Sequence, residues 1–187
     1  MEDHIKAPSY WNTVFTYGLG TGVVLVIIGL ASYVLDVNTF ENRWTQWIGY
    51  IFLFAGMTMA AVQYRNQVAG GTLSYGRSFS VHFWTGLTAG VIASIFLAIF
   101  MTFAGDEIRQ MAMDKAEEEV LRRNPEASDQ EIEMALKMTG MFLKPGTMAL
   151  MGLISYAVIS VVYGLISSIF VKKESSQVVV EETTSES

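Results

Sequence analysis

His82 is the only side chain, tyrosines apart, that can titrate within the four long uncharged stretches of this chain. An imidazole in an apolar setting can relay a proton or ligate a metal. Ligation needs several partners. The only other histidine is His4 and cysteine is absent, so a zinc site would have to draw on several carboxylates. A relay needs a second titratable group at the same depth, yet no Asp, Glu, Lys or Arg occurs inside any stretch. That absence also weighs against ion-coupled transporters and proton pumps. His82 stands near the start of the third stretch, beside Trp84, where an amphipathic ring suits a membrane–water interface. Interfacial placement is the expectation, with His82 kept as a secondary functional candidate.

Other motifs carry less chemistry than they first suggest. Glu117-Glu118-Glu119-Val120-Leu121-Arg122 matches the Glu-Glu-x-x-x-Arg pattern of CAAX-type membrane proteases. Those enzymes also need histidines within the membrane, and Phe79-Ser80-Val81-His82 misses the Phe-x-x-x-His spacing by one. The glutamates lie in a polar segment, so a solvated helix face is expected. Gly18-Leu19-Gly20-Thr21-Gly22 is glycine-rich but is not followed by Lys-Ser/Thr, and it is no phosphate loop. The acids Glu126, Asp129, Glu131 and Glu133 lack calcium-loop spacing. No nucleophile elbow is present. No catalytic residue, metal or cofactor is therefore expected.

The elements that must position these residues follow from the gaps between charges. The uncharged stretches are Ala7–Leu35, Trp44–Tyr64, Ser78–Gly105 and Pro145–Val171. A bilayer core takes about 20 apolar residues in a helix. Each stretch is long enough, and spans are expected at about 14–35, 45–64, 80–104 and 146–171. Only 16% of the 187 residues are charged, against about 25% in soluble domains. Met1–Trp11 lacks a positive n-region, so the first run is read as a retained span. Tyr10, Trp11, Phe15 and Tyr17 open it as an interfacial belt, and Trp44 and Trp47 mark the next interface. Asn38 is a turn residue of the first connection, and Gly70-Gly71 marks the second, Arg65–Arg77.

Between spans three and four lies a polar piece, 106–144, with ten acids and six bases. Asp106–Arg123 is acidic at its start and basic at its end, which complements a helix dipole. Asn124-Pro125 interrupts it. Ser128-Asp129-Gln130-Glu131 then has capping-box spacing and opens a second helix to about Phe142. A pair of short amphipathic helices is expected, packed together or on the membrane. The tail 174–187, rich in Ser, Thr and Glu, reads as disordered and acidic. Nothing in this charge distribution suits nucleic acid.

Small residues recur at helical spacing: Gly18 and Gly22 in the first span, Gly86, Gly90 and Ser94 in the third, and Ser160, Gly164 and Ser168 in the fourth. Such stripes let helix backbones approach closely in lipid. The commoner reading is packing within one bundle, and the functional one is a dimer interface or a moving joint. With four spans, Lys6, Arg65, Arg77, Lys172 and Lys173 share a side, and the other side holds seven bases. The raw count opposes a cytoplasmic N-terminus. Arg65 and Lys172-Lys173 abut span ends, however, and favour cytoplasmic termini.

The layout resembles the DUF4199 family of small bacterial membrane proteins of unknown function. The likeness rests on Pro8-Ser9-Tyr10-Trp11 with Tyr17-Gly18-Leu19, and on Tyr64-Arg65-Asn66 leading through Gly70-Gly71-Thr72-Leu73-Ser74-Tyr75-Gly76-Arg77-Ser78-Phe79. Glu131-Ile132-Glu133-Met134-Ala135, Pro145 and Tyr163-Gly164-Leu165-Ile166-Ser167-Ser168-Ile169 complete it. The resemblance implies a four-span inner-membrane protein and supplies no catalytic residues. The expected fold is all-α, a polytopic bundle of four transmembrane helices with an extramembrane helical hairpin between spans three and four. The expected role is non-enzymatic, through contacts with membrane lipids and with a membrane-protein partner or a homo-oligomer. The alternatives are a transport or channel component, with Thr58, Tyr156 and Ser160 along a polar path, and an intramembrane enzyme using His82 or Glu118.

Overall fold

In the computed structural model, which describes residues 9–35 and 44–173, the chain forms α1 (Tyr10–Val34), α2 (Trp44–Gln67), α3 (Tyr75–Phe103), α4 (Gly105–Arg123), α5 (Asp129–Phe142) and α6 (Pro145–Val171). The fold is all-α. Among the described residues the one β feature is an isolated bridge between Leu73 and Lys173. Asn38 and the tail fall outside those residues.

Local chemistry sets most helix ends. The Ser9 hydroxyl caps α1 by accepting from the Asn12 N–H at 3.4 Å. Gly70 and Gly71 adopt φ of +64° and +86°, a left-handed turn that other residues resist. The helix breaks at Ala104 and restarts at once as α4. Asn124, held extended ahead of Pro125, ends α4. Pro145 occupies the first turn of α6, where no N–H partner is needed.

Two helices run past the expected span ends: α2 continues through Arg65, and α3 begins before Ser78. Arg65 lies in the last turn of α2, and Arg77 in the first turns of α3. A long cationic side chain can leave its helix apolar and reach polar partners at the end of a bundle, so a charge need not end the helix. Here the Arg65 guanidinium donates to the Val171 carbonyl at 3.2 Å. The second connection therefore shortens to residues 68–74.

Helix α3 is the shared scaffold. It packs most extensively on α6 and then on α1, while α2 closes against α1 and α3 and meets α6 along a short stretch. Helices α1 and α6 do not meet. Gly18 and Gly22 oppose Thr88 and Ile92, so α1 and α3 run parallel. Gly86 and Gly90 oppose Ser160 and Tyr156, so α3 and α6 run antiparallel. Leu53, Met57, Val14, Val81 and Ala89 fill the interior. Outward, the helices present Ile27, Ile51, Ile99, Val158 and Ile169. The four long helices have mean hydropathies of 1.3 to 2.1, yet at most 33% of each apolar window is buried inside the bundle. Apolar surface of that extent needs a hydrocarbon solvent.

The polar pair α4–α5 follows span three. Asp106 and Glu107 open α4, and Arg122 and Arg123 close it, each sign at the end its dipole favours. The Glu119 carboxylate accepts from Arg122 Nε and Nη2 at 2.9 and 2.8 Å, and from Arg123 Nε at 2.6 Å. Both halves of the Ser128–Glu131 capping box are present. Arg122, and after it Arg123, hold the Glu119 carboxyl well below the usual range, at about 2. The Ser128 backbone N–H, and then its hydroxyl, lower the Glu131 carboxyl. Groups with depressed folded values stabilise fully above the ordinary carboxylate range and lose that effect as pH falls through their folded values. Hydrogen exchange of the full chain in nanodiscs should therefore show α4 and α5 equally protected from neutral pH to about 4.5. Protection should fall between about 4.5 and 2, and Ser128→Ala should weaken α5 at every pH. Flat protection down to pH 2 would count against both contacts.

Candidate functional site

The α3–α6 seam holds several of the buried polar groups of the bundle. Ser78, His82 and Thr85 recur at helical spacing on one face of α3, and Ser160 and Ser168 lie on α6; all five have no exposed surface. His82 is thus enclosed by protein within the bundle. The reason is rotational: its face of α3 is the one that α6 covers. Gly164 brings α6 so near that a Cβ there would stand 3.3 Å from the Cβ of His82. Tyr163 presents its ring to the imidazole at 6.0 Å, bonds Thr58 Oγ1 at 2.7 Å, and stacks on Phe54 at 4.1 Å. Side chains of α2, α3 and α6 therefore meet around His82.

The chemistry open to this imidazole is narrow. Its Nδ1 lies 2.8 Å from the Ser78 carbonyl oxygen. A carbonyl only accepts, so Nδ1 carries the proton and Nε2 keeps the lone pair in the neutral ring. Nε2 has no hydrogen-bond partner, and neither do the hydroxyls of Ser78, Thr85, Ser94, Ser160 and Ser168. No serine hydroxyl lies within hydrogen-bond distance of Nε2. Among the described residues no three His, Asp or Glu groups gather as a metal cage.

The small residues singled out by spacing lie in these contacts. Gly18 and Gly22 face α3 at Thr88 and Ile92. Gly86 faces Ser160 and Met57, Gly90 faces Tyr156, and Ser94 approaches Gly152. Spacing gave no hint of Gly56, which receives the Thr21 side chain of α1. Of the residues considered for a polar path, Thr58 is bonded to Tyr163, and Ser160 is packed against Gly86.

A second constellation ties the bundle at the opposite end from the hairpin. The Arg77 guanidinium lies 4.7 Å from the Tyr10 ring centre and 5.7 Å from that of Tyr64. Its Nε donates to Tyr64 Oη at 3.1 Å, and Tyr10 Oη lies 2.6 Å from Ser80 Oγ. Leu73 and Lys173 exchange backbone bonds of 2.7 and 2.9 Å nearby. Tyr10 and Tyr64 at span ends were the only sequence signal for this cluster.

The acids Glu117 and Glu118 are exposed on α4. The neighbouring α5 has apolar side chains on two sides. Ile132, Ala135 and Leu136 are half-buried, and a Cβ at Gly140 would meet Met113 of α4 at 3.3 Å. Met134, Met138, Met141 and Phe142 are exposed, and no residue of α5 is buried.

Four apolar helices around a shared α3, with a polar hairpin between the third and fourth, define a multi-pass helical membrane protein. The chain belongs to the family described as protein of unknown function (DUF4199), whose profile matches residues 16–173. No curated protein and no solved structure matches it.

Proposed function

We propose that this chain is a non-enzymatic component of the bacterial inner membrane that holds a partner protein through the α4–α5 hairpin. The observation that carries this reading is the second apolar side of α5. Met134, Met138, Met141 and Phe142 stand 64%, 55%, 56% and 51% exposed at i, i+4, i+7 and i+8. Such a stripe on a polar hairpin supports a docking role, and flexible methionines suit a surface that adapts to its partner. Segment 106–144 carries ten acids against six bases, which disfavours an anionic lipid surface and favours a partner with a basic rim. The test is purification of the full chain from its native membranes in mild detergent, beside a Met134→Asp/Met138→Asp variant. We expect one second protein in fixed stoichiometry, cross-linked to α5 and lost from a variant that stays monodisperse. Recovery of the chain alone, or equal retention by the variant, overturns the proposal.

Orientation belongs to the same reading. Arg65, Arg77 and Lys173 converge on one end of the bundle, and we place that end in the cytoplasm. Gln130 is exposed at the start of α5, and the chain has no native cysteine. Gln130→Cys should react with an impermeant maleimide in intact spheroplasts. Labelling only after permeabilisation reverses the orientation.

A transport role is the second reading, favoured by the unpartnered hydroxyls and imidazole along the α3–α6 seam. An ion flux through reconstituted chain that His82→Leu abolishes would put it first.

A further inference from the structure

We infer that the seam between α3 and α6 binds internal water, with one molecule held between Nε2 of His82 and the hydroxyl of Ser160. The two helices face each other in a regular register. His82 lies opposite Gly164, Gly86 opposite Ser160, Gly90 opposite Tyr156, and Ser94 opposite Gly152. Each rung is four residues from the next on both helices, and each pairs one side chain with one glycine. The same step carried one rung back sets Ser78 against Ser168, and both are fully buried. Four residues of helix rise about 6 Å. That is too long for a direct hydrogen bond between successive rungs, but it matches two bonds of about 2.8 Å that share one water oxygen.

The hydroxyls of the seam behave unlike others in the spans. Thr13, Ser32, Thr88 and Thr102 turn back and donate to the carbonyl four residues earlier, at 2.8–3.1 Å. Ser160 instead points across the seam at Gly86, and Ser94 toward Gly152. Ser78, Thr85, Ser94, Ser160 and Ser168 have unpartnered hydroxyls, His82 has an unpartnered Nε2, and none of these residues is more than 5% exposed. Polar atoms so enclosed are bonded in folded proteins, to protein or to ordered water, and lipid offers them nothing. Water suits this set. It donates to Nε2, whose lone pair is free in the neutral ring, and it either donates to a hydroxyl or accepts from one. A cation is disfavoured, because α2, α3 and α6 contain no Asp or Glu to balance it.

The experiment uses the full chain in nanodiscs with isotope-labelled histidine, and with His4→Gln so that a single imidazole reports. The probe is bulk water, read by NMR magnetisation transfer from water to the His82 ring protons. We expect clear transfer, together with an Nε2 resonance moved in the direction of a hydrogen-bonded acceptor. Ser160→Ala should cut the transfer about twofold or more, since it removes one of the roughly three bonds that hold a buried water. It should also lower the unfolding temperature in detergent. In a dry seam the same change would remove an unmet hydroxyl and raise that temperature. Thr85→Val keeps the side-chain volume, and its unfolding temperature should move the same way. It decides the question if Ser160→Ala fails to fold. No transfer to His82, or a higher unfolding temperature in the variants, overturns the inference and leaves a dry seam. Either result leaves the α5 docking reading untouched, because the readout lies wholly within the seam.

Discussion

Gly90→Ala will lower the stability of the bundle by about 1–3 kcal/mol, the usual cost of overpacking, whereas Gly20→Ala will leave it unchanged or slightly raised. The two glycines differ only in what their missing Cβ would meet. At Gly90 it would stand 2.5 Å from the Tyr156 Cβ and 2.9 Å from its Cγ. Those atoms are the root of the side chain and cannot swing aside, so α3 and α6 must part. At Gly20 nothing lies within 4 Å, and replacing a helical glycine by alanine gains up to about 1 kcal/mol. Gly22→Ala should resemble Gly90→Ala, because it would press on Ile92 Cβ at 2.9 Å and the Ala89 carbonyl at 3.2 Å. Thermal unfolding of the purified variants in one detergent separates the cases. A Gly90→Ala protein as stable as wild type would mean that α3 and α6 lie farther apart.

Arg77→Ala should cost about 2 kcal/mol, the sum of a cation–π contact and a hydrogen bond to a charged group, discounted for its exposure. Its guanidinium joins the start of α3 to Tyr10 of α1 and Tyr64 of α2. Arg77→Lys should recover less than half of the loss. A lysine keeps the charge but not the planar group that stacks on one ring while bonding a second. Combined with Tyr10→Leu, Arg77→Ala should be clearly sub-additive in the same unfolding measurement, since both remove one contact. Full additivity would show that the guanidinium and the Tyr10 ring are energetically independent.

What the sequence revealed divides along physical lines. Four gaps in the charge pattern located four spans because lipid excludes charge wherever a helix crosses it. The capping box was legible because Ser128 and Glu131 satisfy each other within four residues. Helices α2 and α3 run past Arg65 and Arg77 because a charge marks where a side chain reaches, not where a helix stops. The setting of His82 was hidden for a related reason: spacing fixes which residues share a face but not which neighbour covers it. The outer stripe of α5 shows in the sequence as Met134, Met138 and Met141 at helical spacing, beside a half-buried i, i+3, i+4 set of Ile132, Ala135 and Leu136.

The place of α3 has a consequence for biogenesis. Helices α1 and α2 leave the ribosome first, and each takes α3 as a principal neighbour. Until α3 arrives, the faces of Gly18 and Gly22 have only lipid against them. Once α3 is inserted, a three-helix unit can close without α6, whose contacts fall chiefly on α3. The fourth span then docks on a finished platform. The bonds between Leu73 and Lys173 form last, like a clasp between an early loop and a late helix end. The order of synthesis thus leaves the polar face of α3 that bears His82 uncovered until the fourth span docks.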